Sequence, residues 1–203
     1  MAVRRKRKTR TTATAKENRR YDIIYADPPW SYRDKAHAGQ RGVEYKYKSL
    51  SERGVAALDV PSIASDDAAL FLWVTPPQLD VGLRVVEAWG FQYKTIAFVW
   101  IKTYQKSGKL FFGMGNWTRA NAEVVLLGIR GRPKRIDAGV HQVVMSPLGA
   151  HSAKPPEVRE RIVTLLGDRP RIELFARERP DGWDTWGNQV ECDVDLPMRT
   201  GGK

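Results

Sequence analysis

The segment Tyr21-Asp22-Ile23-Ile24-Tyr25-Ala26-Asp27-Pro28-Pro29-Trp30 decides how this chain reads. Its first six residues are mostly apolar and rich in Ile and Tyr, as in a buried strand, and the two prolines stop that strand at a rigid loop. A carboxylate at such a tip lies where open α/β sheets place their ligands, beyond the carboxyl ends of the strands.

The flanking sequence supports a sheet of this kind. Apolar runs at 68–75, 95–101, 123–129, a short one at 142–145 and another at 171–176 predict further strands. A short helix is expected around 51–58, with Val55 and Leu58 on one side. Pro76-Pro77 precedes a helix in which Leu79, Leu83 and Val86 recur at helical spacing, and Gly90 ends it. The segment 155–166 carries Val158, Ile162, Leu165 and Leu166 on one face, proline at its start and Gly167 at its end. Strands alternating with helices, several of the strands apolar throughout, predict an α/β sandwich: a mainly parallel central sheet with helices on both faces.

Charge divides the chain. The formal net charge is +11, and residues 1–20 hold nine Lys or Arg against one acid, while the rest hold 25 against 22. The run Arg4, Arg5, Lys6, Arg7, Lys8, Arg10, with Lys16, Arg19 and Arg20, has no apolar periodicity and reads as a flexible basic arm. Such an arm suits phosphate binding through counterion release, or serves as a solubilising or localisation tail. The division expected is therefore an arm over 1–20, one domain over 21–190 and a loose C-terminal tail over 191–203. No run approaches the roughly 18 apolar residues of a membrane span, and no signal peptide is evident, so a cytoplasmic protein without membrane contact is expected. Cys192 has no partner for a disulfide, and His37, His141 and His151 are too scattered to make a metal site.

The chemistry expected at the strand tip follows from what an acidic oxygen and a proline-rich backbone can accept. The exocyclic amino group of a nucleobase is a poor nucleophile because its lone pair is delocalised into the ring. A carboxylate accepting one N–H, with a backbone carbonyl accepting the other, would localise that pair and aim it at an electrophile. Asp27 and the carbonyl of Pro28 suit these two roles, Pro29 stiffens the loop, and Trp30 would stack on the base. The same four residues also suit a plain rigid turn, capped by Asp27, with Trp30 in the core.

Two polar segments, 31–49 and 104–117, flank this tip. The first mixes Tyr32, Arg33, Tyr45, Lys46 and Tyr47, the aromatic and cationic blend of a nucleotide-binding loop or of an ordinary surface loop. Trp117 and Arg119 either reach a base and phosphate or pack on the sheet. Gly113-Met114-Gly115 lacks the third glycine and following helix of a phosphate loop. Arg130, Arg132, Lys134 and Arg135 form a compact basic group suited to phosphate contacts.

Six separated blocks now resemble one family in its own order: Asp27-Pro28-Pro29-Trp30; Leu70 to Thr75; Gly115-Asn116-Trp117 with Glu123 to Gly128; His151-Ser152-Ala153-Lys154-Pro155; Glu173 to Arg177; and Gly187-Asn188-Gln189. The chain resembles the MT-A seventy-like adenine-N6 methyltransferases. That resemblance implies a Rossmann-like methyltransferase fold and S-adenosyl-L-methionine as methyl donor. It implies that Asp27 and Pro28 hold the target amino group, and that Asp27, Lys154, Arg177, Asn188 and Gln189 contact the donor. Lys154 stands just ahead of a predicted helix, whose free N–H groups and dipole would help hold a carboxylate. Where family members often carry His-Asn after the arginine, this chain has Arg179-Pro180.

The activity expected is methyl transfer to the N6 amino group of adenine in DNA. The alternatives are RNA adenosine methylation and a non-catalytic nucleic-acid-binding subunit of the same fold. Tyr32, Arg33, Trp117 and Arg119 are the expected substrate contacts. The compact chain predicts a short or relaxed recognition sequence, or help from a homo- or hetero-oligomeric partner.

Overall fold

A computed structural model describes residues 19–30, 51–115, 117–149 and 153–199. Seven strands form one sheet: β1 (Tyr21–Ala26), β2 (Ala64–Val74), β3 (Gln92–Thr103), β4 (Ala122–Arg130), β5 (Val143–Pro147), β6 (Arg171–Leu174) and β7 (Asp184–Trp186). The order across the sheet is β5-β3-β4-β2-β1-β6-β7. Every pairing is parallel except those of β4, which runs against β2 on one side and β3 on the other. The sheet is mainly parallel, as expected, with one reversed strand. The ends of β1, β2, β3, β5, β6 and β7 therefore meet the start of β4 along one edge, and Asp27 lies on that edge.

Period-two alternation gives the sheet two apolar faces. Ile24 and Ala26 of β1, Leu70, Leu72 and Val74 of β2, and Ile172 and Leu174 of β6 pack with α1 (Glu52–Ala57), α2 (Val60–Ile63) and α3 (Leu79–Ala88). Ile23, Tyr25, Phe71, Trp73, Phe98 and Trp100 face α4 (Glu157–Leu166) through Val158, Ile162 and Leu166. Helices thus cover both faces, an α/β arrangement of the Rossmann-like type. In α3 the buried residues are Val81, Gly82, Val85 and Val86, whereas Leu79 is exposed. Of the expected stripe, Val86 is buried and Leu83 packs partly buried against the same cluster, while Leu79, beside the 3₁₀ turn of Pro76–Gln78, lies out. Among the described residues no helix is long and apolar enough to cross a membrane.

The C-terminal tail differs from expectation. Through Arg199 it is packed rather than loose: Val194 and Leu196 are buried in the core with α1–α3. The Asp59 N–H donates to the Pro197 carbonyl, and the Arg199 N–H to that of Ala57. The Arg199 guanidinium reaches the carbonyls of Ala56 and Ala88, which closes carbonyls near two helix ends. The last residues of the expected arm are held too. Arg19 pairs with Asp184 at 2.6 Å, and Arg20 donates to the Ala64 carbonyl. Residues 1–18 lie outside the described set.

Candidate active site

β1 carries Asp27 to the sheet edge with its side chain on the α4 side, following Ile23 and Tyr25. Asp27 Oδ2 accepts from Lys154 Nζ at 2.9 Å, and the same ammonium lies 3.3 Å from Glu123 Oε2 at the start of β4. Glu123 Oε1 accepts in turn from Lys102 Nζ near the end of β3. Four side chains from four parts of the chain thus alternate in sign across the edge, lysine between acids and acid between lysines. Lys154 also lies over the Trp73 ring. Burial alone would lower the ammonium's pKa, but Asp27 and Glu123 outweigh it and hold the group above its ordinary value.

A cavity of about 150 Å³ opens beside this cluster, lined by residues that include Tyr25, Asp27, Lys154, Glu173, Phe175 and Arg177. Glu173 of β6 pairs with Arg159 of α4 at 2.9 Å; burial still pushes its carboxyl up, against the pull of that guanidinium. The Tyr25 hydroxyl, raised well above its ordinary value by burial, accepts from Trp73 Nε1 at 2.6 Å. Phe175 has φ +63, a left-handed backbone that non-glycine residues seldom adopt. That bend ends β6 and turns Arg177 toward the cavity, while the Phe175 ring packs edge-on against Trp186. At Gly187 an added Cβ would lie 2.4 Å from the Ala176 carbonyl oxygen, so the loops after β6 and β7 touch backbone to backbone there.

The structure brings Asp27, Lys154 and Arg177 together around one cavity. Asn188 and Gln189 follow directly on β7 at the same edge and are exposed, outside the lining of that cavity. Pro28 is buried, and its carbonyl accepts from the Trp30 N–H at 2.8 Å, which leaves one lone pair of that oxygen for another donor. Pro29 is half-buried.

Trp30 is not available to stack on a base. Its side chain is 7% exposed, sits in the core on the α1–α3 side, and donates Nε1–H to the Trp73 carbonyl at 2.9 Å. The turn of Pro28 and Pro29 carries the ring under the sheet edge rather than above it. Trp117, by contrast, is 99% exposed, and Arg119 lies over the Phe112 ring in the same loop. Gly113 is needed there for a close approach, since a Cβ would fall 2.0 Å from the Ala120 carbonyl oxygen. Tyr32 and Arg33 lie outside the described residues, as do Tyr45, Lys46 and Tyr47. Arg179, where the family often has histidine, clips the tail by two bonds of 2.7 Å to the Asp193 carboxylate.

Sequence reasoning missed Glu123 as a site residue, although an acid at the head of an apolar strand is a readable signal. It also missed Glu173 and Arg159, whose pairing depends on how α4 crosses the sheet.

The site is thus an acid at the tip of a strand, facing a lysine and a cavity that carries both signs of charge, on an α/β sheet of the Rossmann-like type. The MT-A70 family model matches residues 21–189, and the chain belongs to this family of S-adenosylmethionine-dependent adenine-N6 methyltransferases. It is 35% identical over 200 residues to the Type II methyltransferase M.MunI from Mycoplasma sp, covering 89% of this chain and 83% of that one. It is 29% identical over 176 residues to the N(6)-adenosine-methyltransferase catalytic subunit METTL3 of Homo sapiens. It is 30% identical to the N(6)-adenosine-methyltransferase MT-A70-like protein of Drosophila melanogaster. In both pairs the match covers 85% of this chain but only 28% and 27% of the longer relative.

The residues present fit the donor. S-adenosylmethionine carries a carboxylate, an ammonium and a sulfonium, and the cavity offers Lys154 and Arg177 to the first and Asp27, Glu173 and Glu178 to the others. Lys154 has three N–H donors, of which Asp27 and Glu123 take two.

Proposed function

We propose that this chain methylates the N6 amino group of adenine in DNA, with Asp27 holding the nitrogen. The observation that carries the reading is the Asp27–Lys154 pair, 2.9 Å apart at the sheet edge beside a cavity lined by both signs of charge. When bound, S-adenosylmethionine supplies an electrophilic methyl group. Asp27 Oδ2 is engaged by Lys154, so Oδ1 accepts one N–H of the adenine amine and the Pro28 carbonyl accepts the other. This draws the nitrogen toward tetrahedral geometry and directs its lone pair across the cavity. After transfer the nitrogen carries one proton too many, and Asp27 Oδ1 is placed to take it.

Lys154 and Arg177 hold the amino-acid end of the donor, whose size suits the 150 Å³ cavity. Asn188 and Gln189, exposed on the neighbouring loop, reach its ribose with amide donors and acceptors. Trp117 and Arg119 grip the nucleic acid beside the target, each stacked base adding about 1–3 kcal/mol; Tyr32 and Arg33 extend that grip. In duplex DNA the adenine is flipped out of the stack at a cost of a few kcal/mol. DNA is favoured over RNA because the match to M.MunI, of a DNA-modifying class, spans most of both chains, while the RNA-type relatives match over about a quarter of theirs. A cytoplasmic location follows from this reading.

The test is transfer of radiolabelled methyl groups from S-adenosylmethionine to duplex DNA and to RNA, with nucleosides separated afterwards. The expected product is N6-methyladenine in DNA. Asp27→Asn should lower the rate by at least about 10²-fold, the loss typical of a missing positioned polar group. Label confined to RNA overturns the DNA reading, and an Asp27→Asn variant as fast as wild type overturns the role of Asp27.

A further inference from the structure

β4 runs opposite to its neighbours, so its two ends serve opposite edges of the sheet. Glu123 stands at the catalytic edge and Arg130, seven residues on, at the far one, about 23 Å away at ~3.3 Å per residue. The basic group singled out in the sequence therefore does not line the catalytic cleft.

At that far edge the cations outnumber their partners. Arg130 donates to the Pro61 carbonyl, and Asp67 accepts from the Arg132 backbone N–H rather than from its guanidinium. Asp168 is engaged by Arg171, and Asp137 by the Gly139 N–H. The side chains of Arg132, Lys134 and Arg135 are exposed and have no carboxylate partner among the described residues. Arg169 reaches the Lys134 carbonyl and joins this group to an open groove of about 620 Å³, where Arg19 and Arg171 are paired with Asp184 and Asp168 and Arg20 donates to the Ala64 carbonyl.

We propose that the far edge, centred on Arg132, Lys134 and Arg135, is a second polynucleotide-binding surface that holds phosphate backbone remote from the target base. It rests on the reading that the substrate is a polymer, not on where Asp27 points. Phosphate contacts position without reading sequence, and each one formed releases counterions. A duplex of about 10 base pairs centred on its target extends about 17 Å to either side at ~3.4 Å per base pair, short of this surface, whereas a long one, or a second segment of the same molecule, reaches it.

The experiment measures equilibrium binding of the full chain, wild type and Arg132→Gln/Lys134→Gln/Arg135→Gln, to duplexes of about 10 and about 60 base pairs across a salt series, alongside methyl transfer. Removing three contacts should reduce the slope of log K against log salt by about 2.7 on the long duplex. The KM for long DNA should rise about tenfold, with kcat and the affinity for the short duplex changed less than twofold. Thermal melting equal to wild type shows that the triple variant is folded. Equal losses on both lengths place the cations in the catalytic cleft and overturn the proposal, as does an unchanged salt slope on long DNA. Binding is read whether or not methyl groups are transferred, so failure of the DNA reading would show separately.

Discussion

Lys154 Nζ lies 2.9 Å from Asp27 Oδ2, joining the loop before α4 to the tip of β1. The contact neutralises a carboxylate and an ammonium that are each largely withdrawn from water, and Glu123 shares the same cation. Removing the lysine therefore affects more than ligand binding. Lys154→Met should lower stability at pH 8 by about 3 kcal/mol, the low end for a broken buried pair, because Lys102 still neutralises Glu123. In alkali the sign is fixed by the raised pKa of Lys154 in the folded state. Its contribution is complete below the ordinary lysine value of 10.5 and is lost as pH rises through the higher folded value. Tyr21 and Tyr25, also raised, weaken the fold in the same alkaline direction in both proteins. Urea midpoints from pH 8 to 12 should thus fall less steeply for Lys154→Met than for wild type.

Trp30→Ala should destabilise by about 3–5 kcal/mol, as expected for an emptied aromatic site. Trp30→Phe keeps most of the volume and loses the bond to the Trp73 carbonyl, costing on the order of 1 kcal/mol from that bond plus the smaller ring. Chemical denaturation measures both. A tryptophan that served only to stack on substrate would raise KM and leave the denaturation midpoint where it was.

Gly187→Ala drives a methyl group against the Ala176 carbonyl and separates the loops after β6 and β7. The expected cost is about 1–3 kcal/mol of stability. Titration calorimetry with S-adenosylmethionine should also show weaker binding than wild type, since Arg177 lies on one of the displaced loops.

Deleting 191–203 strips Val194 and Leu196 from the core and leaves Arg179 without Asp193. Each apolar side chain contributes on the order of 1.5–3 kcal/mol when fully buried. The urea midpoint should therefore drop, where trimming a loose tail would have left it unchanged.

Local periodicity made the strands and the main helices legible. Ala68 to Val74 and Val158 to Leu166 announce themselves by apolar spacing and by Pro or Gly at their ends. Strand direction was not legible, because alternation along 123–129 is the same whichever way β4 runs. Trp30 could not be placed from its neighbours, since only the path of Pro28 and Pro29 decides which side of the edge the ring takes. Val194 and Leu196 stand amid proline and acids, and their burial depends on a surface made by α1 and α3 far away in the chain. Asp27 and Lys154 stood out because strand tip and motif coincide, and the structure sets them 2.9 Å apart. Glu123 was passed over because its partners arrive from β3 and from the loop before α4.

The parallel contact of β1 with β6, in which Ile23 meets Arg171, has a consequence for synthesis. On the ribosome β1 precedes β6, so one of its edges waits uncovered until Arg171 to Leu174 have been made. A nascent polypeptide stalled before Arg171 would present an apolar strand with open hydrogen-bonding groups, a template for aggregation. Synthesis of β6 is thus the step at which the second edge of β1 first finds its cover.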